Sequence, residues 1–153
     1  SAKAYIHQSL SANAKVEEVS VLNGGPGIVN VYLKTSDMSE ATRQSVEDHL
    51  GGEKVRPLTD TVNVKNAAIK DITISAQLEL TDMFLQDEID KTIKTSRSSL
   101  SLGEDLNLSY IYKLLHQDGV YRVNLKAPAT DTKVNNDSFI RLNFNLSYKK
   151  AEL

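Results

Sequence analysis

Cysteine is absent from this sequence, which excludes disulfides and every zinc site built on thiolates. That suits a reducing cytoplasm and is compatible with other compartments. Long apolar runs are lacking too: none approaches the roughly 18 to 20 residues that cross a bilayer. The opening Ser1-Ala2-Lys3-Ala4-Tyr5-Ile6 has no continuous apolar core of the kind a signal peptide carries. No membrane anchor is expected. An excess of one charge sign is missing as well. The 18 basic and 20 acidic residues leave a formal charge of -2, and no long basic run is present to grip phosphates. Nucleic acid is therefore not an expected partner. Asn-x-Ser triplets begin at Asn107, Asn136 and Asn145, but without a secretion signal they read as chance matches.

What the chain does have is enough apolar residue, 40% of 153, to fill a modest core in one ordinary domain or two small ones. Tyr5, Ile6 and Leu10 recur at helical spacing with no residue capping the start cleanly, which reads as the end of a helix cut from a longer chain. Val16 to Leu22 and Ile28 to Leu33 flank the turn Asn23-Gly24-Gly25-Pro26-Gly27 and predict a β-hairpin. Ser39 predicts an N-cap for a helix over 39–50 that buries Val46 and Leu50 and stops at Gly51-Gly52. Thr61 to Val64 and Ile69 to Leu80 read as strands. In the second, Ile72, Ile74, Ala76, Leu78 and Leu80 alternate with the polar Thr73, Ser75, Gln77 and Glu79. Asp82 predicts the cap of a helix in which Leu85, Ile89 and Ile93 step by four, with Asp87 and Glu88 early and Lys91 and Lys94 late to complement its dipole. Ser109 predicts the cap of a short helix through Tyr110, Ile111, Leu114 and Leu115 that ends at Asp118-Gly119. Val120 to Lys126 and Phe139 to Tyr148 are expected to close the fold as a hairpin around the polar loop from Ala127 to Asp137. In the last strand Phe139, Arg141, Asn143 and Asn145 oppose the apolar Ile140, Leu142, Phe144 and Leu146.

This order predicts an α+β protein of two small halves, 1–66 and 67–153, each made of β-hairpins with helices packed on one face. The boundary falls near Lys65 to Ala68. Joining of all strands into one sheet is equally consistent with the pattern.

Reactive constellations are few. His7, His49 and His116 each stand alone, and no His-x-x-x-His or His/Asp cluster offers a metal site, so no metal and no cofactor is expected. His49 and His116 sit near helix C-termini, where the dipole favours a cation. The carboxylate pairs Glu17-Glu18, Asp87-Glu88 and Glu104-Asp105 match the residue types of a glycosidase, although adjacent acids ordinarily face solvent. No Gly-x-Ser-x-Gly elbow, P-loop or Ser-x-x-Lys is present, and Pro26 removes an N–H that a phosphate cradle at Gly24 to Gly27 would use. No catalytic residue is expected. In Arg56-Pro57-Leu58-Thr59-Asp60, Pro57 fixes φ and biases Arg56 toward extended geometry, while Asp60 can bond backbone amides or pair with Arg56 to hold the turn. The functional alternative for Arg56, Pro57 and Asp60 is an interface loop with Arg56 as a bidentate anchor on a neighbouring subunit.

The stretch from Val55-Arg56-Pro57-Leu58-Thr59-Asp60 to Thr61-Val62-Asn63-Val64 carries a wider likeness. So does the run formed by Leu102-Gly103-Glu104-Asp105-Leu106, Leu108-Ser109, Ile111-Tyr112, Leu114-Leu115 and Gly119 to Pro128. In this order, from Ala12 to Pro128, the chain resembles the C-terminal part of the baseplate J-like proteins, structural parts of contractile phage tails and related injection machines. The resemblance implies a non-enzymatic role in baseplate assembly, with no catalytic residues to carry over. It implies other baseplate and tail proteins as partners, an oligomer in the assembled tail, and a location in the virion tail baseplate after assembly in the host bacterial cytoplasm. A component of a bacterial contractile injection system is the same kind of module. A tail-associated wall hydrolase would need a pocket gathering Glu104 or Asp105. Members of the family are generally longer, which again implies a C-terminal fragment.

Overall fold

A computed structural model describes residues 1–52 and 59–153. Along the chain run α1 (Ala2–Ala12), β1 (Val16–Asn23), β2 (Ile28–Thr35), α2 (Glu40–Leu50), β3 (Thr61–Asn66), β4 (Ala68–Leu80), α3 (Gln86–Ser96), α4 (Leu108–Leu115), β5 (Val120–Ala127) and β6 (Ser138–Lys150). The strands form two three-stranded sheets, β1-β2-β3 and β5-β4-β6, so the fold is α+β as the pattern predicted. Two compact units result. One comprises Ser1–Ala68 with Ser101–Gly103 and Asn135–Phe139; the other comprises Ile69–Leu100, Glu104–Val134 and Ile140–Leu153.

In the first unit β1 and β2 form the predicted antiparallel hairpin, with Val21 opposite Val31. The turn relies on Gly25 at φ 116°, and the Asn23 side chain accepts the Gly25 N–H at 2.8 Å. The strand after the α2 crossover joins the same sheet. β3 runs parallel to β2, with Val31 opposite Val64, and does not turn back into β4. Only Ala67 separates β3 from β4, too little chain for the two-residue turn of the tightest common hairpins, whereas the segment containing α2 is long enough for a parallel connection. Ser39 caps α2, accepting the Thr42 N–H at 3.1 Å. Thr42, Val46 and Leu50 form its buried face. Contrary to the expectation, α1 is also capped: the Ser1 hydroxyl accepts the Ala4 N–H at 3.4 Å. The inward row of α1 is Tyr5 and Ser9, while Leu10 lies exposed, because an i, i+4 pair shares a face that the i+5 residue leaves. Tyr5, Val16, Val31, Leu33, Val46, Leu50 and Val64 make this unit's core.

Between β2 and α2, Asp37 accepts bonds from the Ser39 N–H at 3.0 Å, the Thr42 hydroxyl at 3.1 Å and Lys15 Nζ at 3.1 Å. The Ser39 amide above all, with Lys15, Ser39 and Thr42 side chains, holds the Asp37 carboxyl well below the usual carboxylate range. A depressed folded-state pKa means stability that is present above the unfolded value of about 3.9 and is lost as pH falls toward the folded one. Asp37→Asn is therefore expected to be less stable than wild type in urea unfolding at neutral pH. The gap should narrow steadily below about pH 4.

β4 is the central strand of the second unit, paired on its two sides with β5 and β6. The expected β5–β6 hairpin is thus not formed. The chain after β5 is instead tied down on the way: Leu106 and Thr132 exchange backbone bonds of 2.8 and 2.9 Å, and Asp105 Oδ1 accepts the Val134 N–H at 3.1 Å. Ile74, Ala76, Leu78 and Leu80 of β4 are buried as predicted, but so is Glu79, which was expected on a polar outer face. It is 6% exposed because β5 covers it with polar partners: Asn124 Nδ2 donates to its carboxylate at 2.8 Å and Arg122 lies 3.7 Å away. Phe139, expected on the polar side of β6, is buried as well. It belongs to the first unit, where Lys34 Nζ stands 4.9 Å over its ring.

Asp82 caps a single 3-10 turn (Met83–Leu85) that continues into α3, and Ile89 and Ile93 are buried as the four-residue step predicted. The cap of α4 was misread. Asn107 occupies the cap position, and the acceptor for the Leu108 N–H is Asp131 at 2.8 Å, a residue far along the chain that meets a need local partners leave open.

Candidate interaction surfaces and the predicted site

Of the three residues singled out in the Arg56–Asp60 segment, Arg56 and Pro57 lie outside the described residues. Asp60 is described, and its Oδ2 accepts a 2.7 Å bond from the hydroxyl of Tyr5, whose side chain is buried in the core. A buried tyrosine requires a partner for its hydroxyl, and Asp60 supplies one just before β3, where the Thr61 N–H bonds to the Gly27 carbonyl.

Three of the six paired acids, Glu18, Glu104 and Asp105, are engaged in holding backbone and cations. Glu18 accepts Lys34 Nζ at 3.2 Å and the Leu102 N–H at 3.0 Å. Glu104 forms a two-pronged pair with Arg97 at 2.6 and 2.9 Å, and its bonds raise the guanidinium pKa above the ordinary value. Tyr110 completes that group, its hydroxyl 3.3 Å from Arg97. Asp105 holds the Val134 amide, so the neighbours Glu104 and Asp105 serve two separate structural ends. Asp87 and Glu88 stand in the first turn of α3, where they complement its dipole. Among the described residues no group of three or more His, Asp or Glu side chains is placed to hold a metal ion. His49 Nε2 lies 2.9 Å from Gln8 Oε1, and His116 is the C-cap of α4.

The surface carries a feature that the sequence reading missed. Phe84 is 96% exposed, beside the partly exposed Met83. Its signal was visible as an aromatic standing off the Leu85, Ile89, Ile93 stripe, on a row that the helix does not turn inward.

In sequence the chain is 33% identical over 141 residues to baseplate protein J of Escherichia phage P2, in a match covering 86% of this chain and 47% of the phage protein. Over that match the sequence is similar to a baseplate J protein. It spans about half the length of the curated relative it matches. No protein-family model matches it. In fold the chain is similar to one in the cryo-EM structure of the anti-feeding prophage baseplate, 6-fold symmetrised, with a TM-score of 0.54 at 9% identity, covering 91% of this chain and 36% of that one. At that identity the likeness is one of fold. Among the described residues of the chain no helix is long and apolar enough to cross a membrane.

Proposed function

We propose that the chain is part of a non-enzymatic structural component of a contractile-tail baseplate, acting through contacts with other baseplate and tail proteins. The observation that carries this reading is its 33% identity with phage P2 baseplate protein J over 141 residues. The engagement of Glu18, Glu104 and Asp105 in backbone and guanidinium bonds supports a structural use of its acids. On this reading the protein resides in the tail baseplate, is assembled in the host bacterial cytoplasm, and is oligomeric in the finished tail. The segment holding Arg56, Pro57 and Asp60 then either braces the approach to β3 or docks a neighbouring subunit.

A second reading, a component of a bacterial contractile injection system, is favoured by the fold likeness to the anti-feeding prophage baseplate. The genes beside it distinguish the two. Co-expression of the full-length protein with the products of adjacent genes, followed by size-exclusion chromatography with light scattering, is expected to yield a stable hetero-complex. A persistent monomer that binds none of its neighbours would count against the proposal, as would clearing of a cell-wall suspension by the purified protein.

A further inference from the structure

We infer that the surface around Phe84 docks another protein of the assembly, one that offers an apolar cleft rimmed by lysine or arginine side chains. The inference rests on the baseplate reading and names the chemistry of one partner. Phe84 is the most exposed large apolar residue described in the chain, at 96%, and the backbone that presents it is fixed. Asp82 accepts the Phe84 N–H through its side chain at 2.9 Å and the Leu85 N–H through its carbonyl at 3.1 Å. A phenyl ring held out on a capped turn loses little freedom when it is covered, the property that makes aromatic side chains efficient anchors at interfaces.

Shape alone would also fit a second copy. Leu85, the residue after Phe84, lines a cavity of about 400 Å³ together with Glu88, Ile89, Thr92 and Gly119, so the chain carries both a knob and a recess, as a two-fold contact between identical surfaces requires. Charge decides against it. Glu88 and Asp118 line this recess and Asp87 precedes Glu88 on α3; all three are exposed and form no ion pair among the described residues, and Asp82 adds a fourth carboxylate beside Phe84. Asp87 and Glu88 also complement the α3 dipole, which does not remove their charge from the surface. At the foot of Phe84, Lys150 lines the surface and donates its Nζ to the Thr81 carbonyl. Two copies face to face would oppose these acids, and like charges brought together at an interface suppress association. A cleft with basic residues at its rim gains from the same acids, and the apolar contact sits inside that rim.

The test uses the full-length protein and the adjacent-gene product that co-purifies with it. Phe84→Asp is expected to bind that product about thirtyfold more weakly while melting like wild type, since the ring packs on almost nothing in its own chain. Reversing the rim with Asp87→Lys and Glu88→Lys together is expected to weaken binding and to abolish its decline with added salt. A Phe84→Asp protein that binds as tightly as wild type overturns this inference alone. Wild-type protein that self-associates and loses that property in Phe84→Asp also overturns it, in favour of the two-fold contact. Wild-type protein that binds no adjacent-gene product overturns the baseplate reading and this inference together.

Discussion

Leu106→Ala is expected to lower the stability of the second unit by about 2–5 kcal/mol, the range for truncating a fully buried leucine. Leu106 ends the Leu102-Gly103-Glu104-Asp105-Leu106 run, is 0% exposed, and packs in the core with Ile111, Leu115 and Ile140. Its backbone is held on both sides by Thr132, so the surroundings are tethered and poorly able to collapse into the space left behind. Urea unfolding should show a lower midpoint with an unchanged slope. Loss of only a few tenths of a kcal/mol would mean that the motif is not the structural clasp described above. The acids of the motif hold Arg97 and the Val134 amide and Leu106 fills the core, so these three residues are accounted for by folding.

Gly119→Ala is expected to cost about 2–6 kcal/mol, combining about 1–3 for a side chain forced into an unfavourable backbone region with about 1–3 for overpacking. Gly119 has φ 92°, and a Cβ there would stand 2.6 Å from Leu85 Cδ1 and 3.5 Å from Ile89 Cδ1. Retreat is blocked on one side, because the Gly119 carbonyl accepts both the Thr81 N–H and its hydroxyl. Gly25→Ala provides the control that separates the two costs. Gly25 also has positive φ, at 116°, but nothing lies within 4 Å of its Cβ position, so only the backbone cost, about 1–3 kcal/mol, is expected there. Thermal melts of the two variants side by side measure the difference. Equal losses would show that packing against Leu85 contributes nothing.

Local chemistry was legible in the sequence where one segment contains its own instructions. Ser39 and Asp82 cap their helices, the Asn23 to Gly27 turn closes its hairpin, and the four-residue step of Leu85, Ile89 and Ile93 points inward at its last two positions. Pairing was less legible, because strand partners are chosen by surfaces far apart in the chain. Nothing within Thr61–Asn66 says that it will lie parallel to β2, and the single residue that separates it from β4 emerges only in the structure. Likewise β4 took a partner on each side, and the expected β5–β6 hairpin was lost. Glu79 and Phe139 were assigned to the wrong environments by alternation, since alternation counts faces and cannot see the Asn124 amide or the Lys34 ammonium that covers them. Asp131 at the start of α4 is the same lesson at a helix end. For the site, Asp60 was expected to bond backbone amides or pair with Arg56, whereas the partner described, Tyr5, sits 55 positions away and belonged to no local motif. Phe84 went unremarked because the apolar stripe beside it explained the helix without it.

The proposed function makes this chain part of a baseplate. Its most direct measurement is immunogold electron microscopy of contractile particles purified from the encoding strain, with an epitope tag on the full-length protein. Gold confined to the baseplate end of the tail is the result predicted. Particles that form normally and carry no label, or carry it on the head or along the sheath, would contradict the account.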